Sequence, residues 1–459
     1  MDSKSSRMSR RRVLKSAGIA AVAGGAVTLV PGGLIAAQGG APAVLTNTQA
    51  GRRFRAFVKY STAEVPSVVE VTARGLTGNQ VLLRVEAAQT CYTSIDQVLI
   101  PGTPTNQANI VGHGGVGIVE AIGPQVISTR VGDRVIVNLH AACGRCWNCL
   151  NMRSDKCRSG QAGPPQPIAN MANGTPVFGR TGAMSELAIT GEEMCTPLFT
   201  TASSVEISML TCVAGCGLGM TMTNAPVEVA SDVVIFGAGP VGLSAVMGAK
   251  VKGASRIIVV EPIQYRRDLA LKLGATDVVD PNRYRGRQPI PNAGATADHF
   301  KDELVDYLRE MTKQKTDRVW AGGGKNGPDH VIEAVGGDKM KPRSHPQGPD
   351  PTGVTALNQC WELGSSIGTI VTCSVGQPAD AFIRIPAAQW ADGAKHHWPG
   401  TGGGTNDRRD SGRYCRLMET GQINMKAIAS RTYPLNQTRE AYQVCADRDV
   451  VATVVTPNA

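Results

Sequence analysis

Aromatic side chains are scarce, 4% of the 459 residues, which argues against the rows of stacking rings on which single-stranded nucleic acids are held. No run of like charge follows residue 15 and no segment repeats, so neither a basic nucleic-acid face nor a solenoid is expected. The formal charge of +10 is concentrated at the start, where Lys4, Arg7, Arg10, Arg11, Arg12 and Lys15 stand against Asp2. The expected partners are therefore small molecules, with no nucleic acid among them. What is present is glycine, 53 residues, with 42% apolar content. That composition and length suit a globular α/β chain of two domains with many tight turns.

Ser9-Arg10-Arg11-Arg12-Val13-Leu14-Lys15 resembles the twin-arginine export consensus, with Val13 where Phe is usual. Residues 16 to 37 are apolar but diluted by Gly24, Gly25, Pro31, Gly32 and Gly33, and Ala41-Pro42-Ala43 offers a small-x-small cleavage site. Residues 1–43 read as an export signal, with a basic arm and one anchoring helix as the alternative. The expectation is a protein exported after folding by the twin-arginine (Tat) translocase, to the periplasm or cell exterior, and assembled as a homo-oligomer. Export after folding lets metal and cofactor be loaded first, which reconciles twelve cysteines with an oxidising destination.

Residues 54 to 140 alternate with period two at Val68–Val71, Val81–Val85, Val116–Val119 and Arg134–Val137, the pattern of half-buried strands. After about residue 212 the pattern changes to strands separated by helices, beginning with Val233-Val234-Ile235-Phe236 and continuing with Ile257–Val260, Val278-Val279 and Val331-Ile332. That alternation predicts a parallel sheet. Phe300, Leu304, Val305, Leu308 and Met311 predict an amphipathic helix over 299–312. The stretches 337–353 and 399–412 lack periodicity and read as irregular surface insertions.

Cys143, Cys146, Cys149 and Cys157 carry metal-ligand spacing. Four thiolates on one ion leave no open position, so the site is structural rather than catalytic; two disulfides in the same knuckle are the alternative. Cys91, His113 and Cys212 are dispersed; a lone buried Cys is more often core than ligand, and His113 alone reads as a residue hydrogen-bonded in a glycine turn. Gly237-Ala238-Gly239-Pro240-Val241-Gly242 follows a strand and opens a helix, the context in which such a loop holds a pyrophosphate on the helix N-terminus. Glu261 ends the next strand, where a carboxylate can bond the adenosine ribose and repel a 2′-phosphate, so NAD is expected over NADP. Arg266 and Arg267 could meet a phosphate, but on a helix they are expected to face solvent.

Taken together, Cys91, Gly112-His113, the four-cysteine knuckle and Gly237-x-Gly239-x-x-Gly242 resemble the zinc-containing medium-chain alcohol dehydrogenases over residues 60 to 459. The resemblance implies a GroES-like β-rich catalytic domain over 44–212, a Rossmann doubly wound parallel-sheet NAD domain over 213–392, and a return into the catalytic domain over 393–459. It implies two zinc ions per chain, the catalytic one held by Cys91, His113 and Cys212, with Cys216 as a reserve ligand. It also implies that the Thr93 hydroxyl and Asp96 relay the proton of an alcohol or aldehyde hydrate while hydride passes to NAD. Gly114 and Ser94 stand where the family has acids supporting the zinc, and Tyr92 where a basic residue is common. Those departures motivate a second expectation, an exported zinc- and dinucleotide-binding protein without turnover. The insertion near 337–353 resembles that of the formaldehyde dehydrogenase and dismutase branch, which is associated with tightly retained NAD.

Overall fold

A computed structural model describes residues 49–459 except 61–64, 103–104, 106, 158–165, 180, 287, 290–299, 314–325, 338, 345–352, 374–376, 378–379, 384, 386–389, 391–393 and 400–406. The export segment thus lies outside the described residues. The β-rich half opens with the strand Arg53–Lys59, whose inward residues Phe54, Ala56 and Val58 are buried. It pairs antiparallel with Ser67–Ala73 and, through Val58 and Lys59, with Ala108–Ile110. Ala169–Met171 and Pro176–Phe178 close these strands into a small barrel. Closure removes the free edges that an open sheet of this size would present.

A second sheet is built on the ten-residue strand Gln80–Gln89, which pairs with Gly115–Ile122, Leu187–Gly191 and, near the end of the chain, Ala452–Thr456. Arg134–Val137 and Cys195–Pro197 extend one side, and Ala429–Pro434 extends the other. The last strands of the chain therefore complete a sheet of the β-rich half, on Gln80–Gln89.

Between them lies a six-stranded parallel sheet in the order Asp277–Val279, Arg256–Val260, Asp232–Phe236, His330–Glu333, Thr369–Thr372, His396–Pro399. Val233, Val234, Ile235, Ile257, Ile258 and Val259 are each at most 2% exposed, as expected for β-branched strands covered on both faces. The order reverses between Asp232–Phe236 and His330–Glu333, and the crevice above that switch point is where such sheets take ligands. Helix Pro240–Val251 begins with Pro at its first position, where the missing N–H costs nothing. One continuous core runs from Cys91, Val116 and Ile136 of the β-rich half to Val233 and Ile235 of the parallel sheet and Val246 of the helix that covers it.

Two expectations need correction. The helix expected over 299–312 spans Glu303–Thr312, because Asp302 caps it by accepting from the Leu304 and Val305 amides, while Phe300 lies in the short strand Phe300–Lys301. The irregular stretch expected over 399–412 becomes helical at Asp407 and stays so to Glu419, because Tyr414 and Cys415 are buried on its inner face. Of the expected insertion 337–353, residues 338 and 345–352 are outside the described residues.

Candidate active site

Cys91 leaves the long strand Gln80–Gln89 at its C-terminal end and starts the turn Tyr92–Ser94. His113 sits between Gly112 and Gly114, whose φ angles of +94° and +106° lie in the left-handed region that a side chain disfavours. A Cβ on Gly114 would lie 2.7 Å from Thr211 Cβ and 3.0 Å from the Val137 carbonyl oxygen, so an acid after the histidine has no room here. Cys212 caps helix Val213–Gly219. A Cβ on Gly217 of that helix would run into the Val241 carbonyl, so the helix lies directly on the one that opens the glycine loop.

These elements bring the Cys91 and Cys212 sulfurs and a His113 ring nitrogen within 4.8 Å of one another. Cys91 Sγ and Cys212 Sγ are 3.9 Å apart, close to the edge of about 3.8 Å expected for two thiolates on tetrahedral zinc. The Thr93 hydroxyl donates to Cys91 Sγ at 3.1 Å. The hydrogen bond with Cys212 holds the Cys91 thiol well below its usual pKa, against burial and with help from His113. Burial disfavours charge on His113, but the Cys91 thiolate outweighs it and raises the pKa. The donor set is thus two soft thiols and an imidazole, which suits zinc. Cys216 lies one turn beyond Cys212 and bonds Cys212 and Cys373.

In the knuckle, Cys143 Sγ to Cys149 Sγ is 4.0 Å and Cys146 Sγ to Cys157 Sγ is 3.9 Å, and all four sulfurs are mutually within 4.8 Å. These are tetrahedral edges, about twice a disulfide bond, and all twelve cysteines are unbridged. Burial pushes the Cys149 thiol up to about 12, and its bonds with Cys146 and Cys157 add to the shift. A cation is what makes such a cluster favourable as thiolates.

Gly237 has a φ of +92°, and a Cβ on Gly242 would run into the Gly237 carbonyl. Gly239 differs: its φ of −71° and ψ of −175° suit any residue, and a Cβ there meets nothing within 4 Å. The loop is thus closed at Gly242 and open at Gly239, which leaves a face for phosphate beside half-buried Val241 at the helix start. Glu261 is 3% exposed, and its carboxylate accepts from the Ala238 amide at 2.7 Å and the Ile263 amide at 2.9 Å. Arg266 and Arg267 do not face solvent. Arg267 is buried, donates to the Glu261 carbonyl and Gln264, and pairs with Asp280 at 3.3 Å; Arg266 donates to the Tyr265 hydroxyl and the Val450 carbonyl.

Gly239→Ala is accordingly expected to fold as the parent does, with stability within about 0.5 kcal/mol, yet to bind dinucleotide at least about tenfold more weakly. Thermal melting and cofactor titration on one preparation check this. Unchanged affinity would show that the pyrophosphate does not approach Gly239.

Two residues arrive from parts of the chain that pattern alone does not connect to the site. Lys339, in the insertion, pairs with Asp96 at 2.9 Å and donates to the Thr93 carbonyl at 2.6 Å. Buried Glu333 accepts from the Val335 and Gly336 amides at 2.8 Å each, which fixes the turn leading to Lys339. A charged residue ending a fully buried strand was the available signal for Glu333; nothing local marks Lys339.

Residues 77–200 match the model of the alcohol dehydrogenase GroES-like domain, and residues 240–343 match that of the zinc-binding dehydrogenases. An S-(hydroxymethyl)glutathione dehydrogenase of Escherichia coli is 29% identical over 413 residues, 87% of this chain and 99% of its own length. The geraniol dehydrogenase of Castellaniella defragrans is 32% identical over 223 residues, 45% of this chain and 57% of its own length. The crystal structure of an alcohol dehydrogenase zinc-binding domain protein from Burkholderia ambifaria superposes with a TM-score of 0.70 at 24% identity, covering 89% of this chain and all of that one. With both zinc constellations, the glycine loop and the doubly wound sheet in place, the chain belongs to the zinc-containing medium-chain alcohol dehydrogenase family.

Proposed function

We propose that the protein is a dehydrogenase that oxidises an alcohol or aldehyde hydrate, with NAD as hydride acceptor and two zinc ions per chain. One observation carries this reading. The cluster of Cys91, His113 and Cys212 shares helix Val213–Gly219 with the wall of the cofactor crevice, through the close approach of Gly217 to Val241. Zinc bound there supplies a Lewis acid that acidifies an alcohol, and NAD supplies the redox step. Cys91, His113 and Cys212 would hold the metal and leave a fourth position open; Cys143, Cys146, Cys149 and Cys157 would hold the structural ion. Thr93 takes the substrate proton at its hydroxyl and Asp96 passes it outward, with Lys339 setting the position of that carboxylate. Gly237, Gly239, Val241 and Gly242 bind the pyrophosphate and Glu261 the ribose. Arg267 is committed to Glu261, Gln264 and Asp280, which supports NAD over NADP. Residues 44–212 and 393–459 handle metal and substrate, and 213–392 handle cofactor. A binder without turnover finds no support among the relatives, which are named as dehydrogenases. Alcohol-dependent reduction of NAD by the zinc-loaded protein tests the reading, and no turnover with any short alcohol or aldehyde would overturn it.

Export through the twin-arginine translocase, with cofactor already seated, belongs to the same proposal, as does assembly into a homo-oligomer. Arg343, from the insertion, forms a two-pronged pair with Asp447, Nε donating to Oδ1 at 3.0 Å and Nη2 to Oδ2, and Lys339 grips Thr93 and Asp96. Both contacts tie the segment after the crevice to the catalytic half, an arrangement that slows cofactor escape. Cell fractionation, light scattering and the dinucleotide released on denaturing the exported protein test these points. Replacing Arg10 and Arg11 by Lys should hold the protein in the cytoplasm; unchanged export would contradict the address.

A further inference from the structure

Six of the twelve cysteines lie outside the two zinc sets, and two of these six touch each other. Cys216 is 5% exposed on helix Val213–Gly219; Cys373 follows the strand Thr369–Thr372 and is half-buried. Their thiols are hydrogen-bonded, and both belong to the core that joins the β-rich half to the parallel sheet. Cys216 also bonds Cys212, yet it stands outside the three donors that close on one point. A single buried thiol packs as a small apolar group, whereas two in contact can also share a covalent bond.

Strand register fixes where the pair sits. Phe236 is opposite Glu333 and Glu333 opposite Thr372, so the three strands end level. The residues that follow, Gly237, Ala334 and Cys373, line one edge of the sheet. The Cys373 amide donates to the Glu333 carbonyl at 3.0 Å, which holds it there. That edge is the carboxyl end of parallel strands, where the switch-point crevice opens. Cys216 reaches it from the other side, because the neighbouring Gly217 lies against Val241 of the helix that leaves the glycine loop. The pair therefore spans the crevice from the glycine-loop side to the Thr369–Thr372 side.

We propose that Cys216 and Cys373 are a redox site, which a peroxide oxidises to an intramolecular disulfide bridging the crevice. The half-buried Cys373 thiol attacks hydrogen peroxide, giving a sulfenic acid and one water. The Cys216 thiol then attacks the sulfenic sulfur, the S–S bond forms and a second water leaves. The two sulfurs together lose two electrons, and the O–O bond takes them up. Thiols already in contact need to approach by only about 2 Å for this. Closure draws the helix toward the sheet edge, so the bridged form excludes the dinucleotide; that consequence, unlike the disulfide itself, rests on the dehydrogenase reading.

The test treats the zinc-loaded protein with hydrogen peroxide, alkylates the remaining thiols and reads unreduced peptides by mass spectrometry. The expected product is a Cys216–Cys373 cross-link lighter by two hydrogens, formed with zinc content unchanged and reversed by dithiothreitol. Titration before and after oxidation should show NAD binding at least about tenfold weaker in the parent and unchanged in Cys373→Ala. Cys216→Ala carries that comparison if Cys373→Ala fails to fold. Absence of the cross-link, or links through Cys91 or Cys212 with release of zinc, overturns the proposal. A Cys216–Cys373 link that leaves NAD affinity unchanged overturns its placement across the crevice. The link formed in a protein whose reduced state binds no dinucleotide would sink the dehydrogenase reading while the redox site stands.

Discussion

Cys91→Ser and His113→Ala are each expected to lower zinc from about two to about one per chain and to reduce turnover by more than about a thousandfold, because an open three-ligand site cannot spare a donor. The fold should survive. Cys91 lies at the end of a strand paired on both sides, and Ser keeps its shape. The backbone at His113 is set by the flanking glycine turns, which the substitution leaves in place. Metal analysis, melting temperature and kcat on one preparation separate the outcomes. Two zinc ions retained with activity lost would place the metal elsewhere; a collapsed melting temperature would make the site structural.

Cys146→Ser should do the opposite. The knuckle has little core of its own: Trp147 is 76% exposed, Leu150 69% and Met152 51%. Under the proposed structural zinc, the closure of four thiols on one ion is what would fold the segment, and apparent zinc affinities at such sites reach about 10 kcal/mol or more at neutral pH. Part of that contribution is lost with one sulfur, so the variant should melt at least about 5 °C lower and yield its remaining knuckle zinc to a chelator. Any turnover it retains should scale with the folded fraction. An equally stable variant of full activity would contradict the structural role.

These two variants rest on features that were legible in the sequence, and the reason is local. Cysteine spacing places sulfurs through short turns, and runs such as Val233–Phe236 and Ile257–Val260 are apolar because both faces are covered. The final strands were not legible from pattern. Ala429–Pro434 is an edge strand with one buried residue, Tyr433, and Ala452–Thr456 shows its place only by pairing with Gln80–Gln89, more than 350 residues earlier.

The site divides in the same way. The glycine loop announces itself by the strand before it and the helix after it, whereas Cys91 and His113 stand out only together with the knuckle and the loop, through the family resemblance. Lys339 reaches Thr93 and Asp96 from an aperiodic insertion. Arg267 was read as solvent-facing because helix position alone does not reveal Asp280, which arrives from the next strand–turn unit. Gly114 was read as a lost acid, whereas the crowding of Thr211 and Val137 shows a position that admits no side chain.

The central claim is that hydride moves from a carbon held at the Cys91, His113 and Cys212 cluster to a nicotinamide in the adjoining crevice. The most direct measurement gives the zinc-loaded protein NAD and an alcohol deuterated at the reacting carbon, then reads the recovered cofactor by mass spectrometry and NMR. The account predicts deuterium at nicotinamide C4, on one face only, and none with Cys91→Ser. Oxidised product formed with no deuterium in the cofactor would contradict it.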